Sequence, residues 1–376
     1  MTSKVNVSQI ECADGSVIGV LELDNPAALN ALSYEMIEQL YNQLVEWQLN
    51  DNIVAVFLHA KGDKAFCAGG DIQAIYRALE NKEQDFDSAF SAMETFFDLE
   101  YRCDHLIQTY SKPIIAWGHG YLMGGGVGLF MGASHRVAET TTRFAMPEIK
   151  IGLYPDVGAT YFLNQLPKHL ALFLSLTACQ INATDMKALG LSQWIAKSES
   201  KKALLDKLAT VSWKGEANIN EKLATTLRSI EVKEPSEGFM LPHASLIEQL
   251  CSGDLTAIVK AISSAEVDDK WFVNAQKALN YGSPLSLNIT YQQLTQYQNL
   301  SLKACFDMEF NLTLRCGLEG DFREGVRALI IDKTNQPTWQ HRTVSDVTPQ
   351  VLERFFSPID SAEYPLTASS VAIAAL

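Results

Sequence analysis

Polar and apolar residues alternate at the start of the chain and positions 17–23 are apolar but for Gly19 and Glu22, so 5–11 and 17–23, with Asp14-Gly15 between them, are expected to open the chain as two paired strands. Asp24-Asn25-Pro26 ends the second strand and starts a loop. Ser33 then stands where its hydroxyl can cap a helix that carries Met36, Ile37, Leu40, Leu44 and Val45 at helical spacing. Positions 53–58 are apolar throughout, as in a strand covered on both faces. The same phrase recurs further on: 113–117 reads as a buried strand, 118–126 as a glycine-rich turn and 127–131 as the start of a helix. Positions 135–137 and 143–145 read as two more strand pieces, and 156–176 as helical with a break at Pro167.

Strand, loop and helix in repeated succession predict an α/β fold. The pattern changes at Lys233-Glu234-Pro235-Ser236-Glu237-Gly238, which reads as a linker. Beyond it, 246–312 is mainly helical, and from Gln336 on the prolines are scattered and no period is clear. The expected organisation is a main domain over 1–235 and a smaller, mainly helical region over 236–376.

Composition narrows the function. A net charge of −14, spread along the chain, argues against nucleic acid as a partner, because phosphate binding needs a basic footprint. The seven cysteines are scattered with no Cys-x-x-Cys pair, which suits reduced thiols inside a cell. The histidines form no His-x-His or His-Glu-x-x-His group, so no metal site is expected. Positions 113–134 are long enough to span a bilayer, but they hold seven glycines and change from strand-like to helix-like spacing. A buried strand followed by a buried helix is the better reading, and no membrane partner is expected. The first residues lack the basic start and apolar run of a leader. The expected location is therefore the cytoplasm, with the mitochondrial matrix left open for a eukaryotic source.

Two glycine turns carry the chemistry. Phe66-Cys67-Ala68-Gly69-Gly70-Asp71-Ile72 lies between a strand and a helical pattern, and Met123-Gly124-Gly125-Gly126-Val127-Gly128 has the same setting. Small residues let a ligand approach the backbone, and free amides at a helix start favour negative charge. Neither run fits Gly-x-Gly-x-x-Gly, and no Gly-Lys-Ser/Thr follows, so dinucleotide and P-loop readings fall away. Two amides from separate loops aimed at one point would form an oxyanion hole.

The two runs, the second read from His119-Gly120-Tyr121-Leu122, resemble the paired signatures of the crotonase (enoyl-CoA hydratase/isomerase) superfamily. Asn25-Pro26-Ala27-Ala28-Leu29-Asn30-Ala31-Leu32 resembles a third signature, and Phe144-Ala145-Met146-Pro147-Glu148 with Ile151-Gly152-Leu153 a fourth. The resemblance implies a spiral of repeated ββα units, a coenzyme A thioester as substrate and no separate cofactor. It further implies an oxyanion hole from the amides of Gly70 and Gly125, and substrate contacts from Ala28, Leu29, Phe66, Ala68, Asp71 and Ile72. Homo-oligomers are common in the family.

Carboxylates divide the superfamily. Hydratases use two glutamates; one matches Glu148, while the position of the other holds Gly128, which cannot transfer a proton. Met146-Pro147-Glu148 followed by Ile151-Gly152-Leu153-Tyr154-Pro155-Asp156-Val157-Gly158 is similar instead to the 3-hydroxyisobutyryl-CoA hydrolases. Glu100 matches a substrate-pocket glutamate of that group, and the long C-terminal part, with Asp321-Phe322-Arg323-Glu324-Gly325, also fits. The implied reaction is hydrolysis of a short 3-hydroxyacyl-CoA in valine breakdown. The rivals are hydration or isomerisation by the same fold, and a silent acyl-CoA-binding scaffold. By residue chemistry, Glu148 is a general base or a nucleophile, and Asp156 positions the water or the substrate hydroxyl, or shares a proton with Glu148. By position alone, Glu148 is a helix-start carboxylate, Asp156 an N-cap, Glu100 a solvated helix residue and His119 a packed structural histidine. A basic residue that meets the anionic coenzyme in many relatives is replaced by Ala27, leaving Lys61, Lys64 and Lys333 as substitutes.

Overall fold

The computed structural model describes residues 4–216 and 218–359. Within them two compact units form, the first from residues 4–70, 103–144 and 180–241, the second from 71–102, 145–179 and 242–359.

The first unit is built on strands. β1 (Lys4–Glu11) and β2 (Val17–Asp24) pair antiparallel across the expected turn, where Gly15 takes a positive φ of 74°. They continue into β3 (Ile53–Ala60), β5 (Ile114–Gly118), β7 (His135–Glu139) and β10 (Trp194–Ala196), giving a six-stranded sheet in the order β1-β2-β3-β5-β7-β10. From β2 onward the neighbours are parallel. β3 and β5 have strands on both sides and lack polar alternation because both of their faces are covered. β4 (Ala65–Cys67), β6 (Tyr121–Met123), β8 (Arg143–Ala145) and β9 (Ile181–Asn182) form a second, four-stranded sheet. Phe57, Trp117, Trp194 and Trp213 fill the core against the large sheet.

Ser33 caps the helix Tyr34–Gln48, its hydroxyl accepting the Met36 N–H at 3.3 Å. Met36, Ile37, Leu40 and Leu44 are buried as expected, but Val45 is 39 % exposed. At about 100° per residue, Val45 turns to the outer face and Trp47 takes the inward place. Trp47 covers Gly19 so closely that a Cβ there would lie 2.4 Å from its ring. The linker-like stretch after Glu231 is pinned at its end, where the Asp185 carboxylate accepts the main-chain N–H groups of Phe239, Met240 and Leu241.

The second unit is mainly helical. Around Pro167 the helices Ala159–Leu163 and Lys168–Thr177 form, followed by Ala244–Leu250, Leu255–Ser264, Lys270–Tyr281, Pro284–Gln296 and Leu302–Leu318. One helix lies where the sequence shows no clear period. Pro349–Phe356 is opened by Thr348, which accepts the Val351 N–H at 3.4 Å, and by Pro349 in its first turn. Among the described residues no helix is long and apolar enough to cross a membrane. The apolar stretch 113–134 is divided among β5, β6 and the helix Gly125–Gly132.

Candidate active site

In the first unit the glycine turns lie side by side. Gly69 has a φ of 116° and Gly124 a φ of 51°, both left to glycine because a Cβ would strain the backbone. A Cβ on Gly69 would lie 3.8 Å from the Gly124 Cα and 3.9 Å from the Gly125 nitrogen, so the two turns touch. The loop of the third signature joins them: Leu32 N–H donates to Gly69 O at 2.9 Å and Ala68 N–H to Leu29 O at 3.1 Å. Gly125 is the first residue of the helix Gly125–Gly132, where main-chain N–H groups have no acceptor within the helix. Such amides suit a developing negative charge.

Gly128 has a second reason to be glycine. A Cβ there would lie 2.4 Å from Oδ2 of Asp104, a residue 1 % exposed. The position thus lacks an acidic side chain and has no room for one while Asp104 keeps its place. Beside the turns, a cavity of about 290 Å³ is bordered by Leu29, Asn30, Lys61 and Lys64. Lys61 is already paired with Asp24 at 2.8 Å.

The second unit holds the carboxylates. Glu148 opens the short 3-10 turn Glu148–Ile151 and is 3 % exposed, with neither carboxyl oxygen hydrogen-bonded to another residue. Burial, reinforced by the charge of Asp156 and then of Glu100, lifts its proton affinity well above that of an ordinary glutamate. Glu100 is 4 % exposed rather than on a solvated face, its Oε1 also lacks a partner, and burial with Asp156 raises it likewise. Asp156 differs. It does not cap the following helix, whose N-cap is Gly158. Its Oδ2 instead accepts the Tyr101 hydroxyl at 2.6 Å. Burial pushes Asp156 up to about 6, with the Tyr101 hydrogen bond pulling the other way.

Three buried carboxyl groups that feel one another cannot all be charged at low cost. The arrangement favours keeping a proton, with Glu148 and Glu100 raised well above the ordinary glutamate range and Asp156 raised to about 6. Glu309, behind it, is fully satisfied: it accepts from Gly158 N, Thr160 N and Thr160 Oγ1 at 2.7, 2.8 and 2.6 Å. Sequence reading does not find Tyr101, Tyr154, Thr313 or Glu309. The first adjoins Glu100, but no spacing links the last two to a carboxylate more than 150 residues away, and only packing does.

The remaining expected residues are more ordinary. Phe66 is in the core, edge-on to Phe130. Ala28 and Asp71 are exposed, and Leu29, Ala68 and Ile72 half-buried. His119 is 2 % exposed, and burial lowers its proton affinity. None of the seven cysteines is in a disulfide.

Residues 18–356 match the family model described as enoyl-CoA hydratase/isomerase. The 3-hydroxyisobutyryl-CoA hydrolase, mitochondrial, of Danio rerio is 35% identical over 349 residues, covering 93% of this chain and 89% of that protein. The protein of the same name from Homo sapiens is 34% identical over 346 residues, covering 92% and 87%. Among solved structures, an enoyl-CoA hydratase from Rhodobacter sphaeroides 2.4.1 superposes with a TM-score of 0.81 at 28% identity, over 94% of this chain and 97% of that one. A carnitinyl-CoA dehydratase from Mycobacterium thermoresistibile does so with a TM-score of 0.80 at 28% identity, over 95% and 97%. The fold, the ordered signatures and the extent of the match have one meaning: the chain belongs to the enoyl-CoA hydratase/isomerase (crotonase) family.

Proposed function

We propose that this protein hydrolyses a short 3-hydroxyacyl-CoA thioester, with 3-hydroxyisobutyryl-CoA as the substrate, to the free acid and coenzyme A. The observation that carries the reading is Glu148, a buried carboxyl group with two unpartnered oxygens and a raised proton affinity. In its charged form such a group is a strong base, and it needs no cofactor to act. Glu148 takes a proton from water as the water oxygen bonds to the thioester carbon. The amides of Gly70 and Gly125 hold the resulting oxyanion. The carbon–sulfur bond then breaks, and Glu148 returns the proton to the leaving thiolate. An ordinary thiol has a pKa of about 8.5, so a base with elevated proton affinity is matched to that return. Glu100 and Asp156 bind the substrate hydroxyl and orient the water.

Two observations favour hydrolysis over hydration. Gly128 supplies no acid where hydratases carry their second glutamate, and the Asp104 side chain fills the place where one would start. The similarity to proteins named 3-hydroxyisobutyryl-CoA hydrolase points the same way. Lys64, on the cavity beside the glycine turns, is our candidate for a coenzyme phosphate.

The test is release of coenzyme A thiol from 3-hydroxyisobutyryl-CoA, with loss of the crotonyl-CoA double bond followed in parallel. Thiol release is expected, and kcat should fall about 1000-fold in Glu148→Ala. Hydration of crotonyl-CoA without thiol release would overturn the reading.

A further inference from the structure

Tyr101 stands directly after Glu100 on the helix Phe86–Gln108 and is 0 % exposed. Its hydroxyl donates to Asp156 Oδ2 at 2.6 Å and lies 2.7 Å from Thr313 Oγ1. Because its one proton is spent on Asp156, its oxygen is left to accept from Thr313. The Tyr154 hydroxyl donates to the Glu309 main-chain oxygen at 2.5 Å and lies 2.9 Å from the same Thr313 oxygen. The Tyr101 ring cannot swing away, since Phe97, Phe306 and Phe310 pack around it at 5.9, 6.0 and 6.4 Å. Glu148 has no such donor on either oxygen.

We propose that Tyr101 is a positioning residue that decides which carboxyl of the cluster carries the mobile proton. By donating to Asp156 it keeps that group a carboxylate and leaves Glu148 as the site where protons are taken and returned. This rests on the hydrolase reading and assigns a role within it. The other titratable groups that act on Asp156 or feel its charge are Glu100 from the same helix, Glu148 from its 3-10 turn, Tyr154, and Glu309 and Cys316 from Leu302–Leu318. All are acidic or neutral. The phenol and the residue's own main-chain N–H are what favour the charged form.

Tyr101→Phe removes one oxygen and keeps the ring. Without the donor, Asp156 holds its proton to higher pH, so the acidic limb of the pH–kcat profile should move up by about one unit. Thiol release should then drop about 5-fold at pH 6 and less than about 2-fold at pH 9, with KM nearly constant. Thr313→Val should shift the limb the same way by less, and serves if Tyr101→Phe does not fold. An unchanged limb, or an equal loss at every pH, overturns the proposal, because a merely structural tyrosine would act at all pH values alike. If the wild-type enzyme releases no thiol, the hydrolase reading fails by itself. Titration of ¹³C-carboxyl-labelled aspartate, with Asp156 assigned by its loss in Asp156→Asn, then decides the role of Tyr101. A midpoint raised by Tyr101→Phe supports it, and an unmoved one rejects it.

Discussion

Glu139 in the strand-built unit and Glu148 in the helical unit are equally buried, each 3 % exposed, yet their surroundings are opposite. Glu139, at the end of β7, accepts the Trp117 indole N–H at 2.6 Å and the Thr141 hydroxyl at 3.2 Å, and is bonded by Ser198 as well. Glu148 accepts from no other residue. Burial alone therefore does not mark a functional carboxylate. A buried acid whose hydrogen bonds are all made holds the fold together; one left without them costs stability and is retained for chemistry.

The contrast can be broken by substitution, and the largest stability effect is expected at Glu139. Glu139→Ala strands the Trp117 and Ser198 donors and should lower the unfolding free energy by about 3 kcal/mol in urea titration, with kcat of the folded fraction retained. Glu309→Gln, which sets an amide NH₂ against either the Gly158 or the Thr160 N–H, should cost about 2 kcal/mol by the same measurement. Glu148→Gln should run the other way and stabilise by about 1 kcal/mol at pH 8, while thiol release is lost. The sign follows from linkage. Glu148 binds its proton more tightly folded than unfolded, so its favourable contribution is full below the ordinary glutamate range and disappears as pH rises. Gln removes that dependence, so its advantage over wild type should shrink towards pH 4 in thermal melts. Stabilisation equal at pH 4 and pH 8 would show that Glu148 is not held in a proton-retaining site.

Much of this architecture is legible in the amino-acid sequence. The opening hairpin follows from two strand-like runs either side of Asp14-Gly15, and the Tyr34–Gln48 helix from Ser33 and its apolar stripe. The pattern misleads where one local signal has two meanings. Val45 fits the stripe by residue type but not by angle. The helix Pro349–Phe356 has a Thr-Pro start, yet at eight residues it is too short for its period to stand out. Asp156, a good capping residue by position, is claimed by a tyrosine 55 residues away instead.

The family resemblance singled out Glu148 and Asp156 as candidates, and the sequence by itself determined the strand-and-turn phrases and the two glycine turns. These depend on neighbours within a few residues, where backbone geometry and side-chain type act directly. Tertiary structure alone decided that the two turns touch, that Asp104 fills the space beside Gly128, and that Glu148 lacks the donors which Asp156, Glu139 and Glu309 possess. The physical reason is that a carboxylate's proton affinity is set by its solvent exposure and by donors from distant parts of the chain. Here the reach runs from Tyr101 to Thr313, 212 residues apart in sequence and 2.7 Å apart in space.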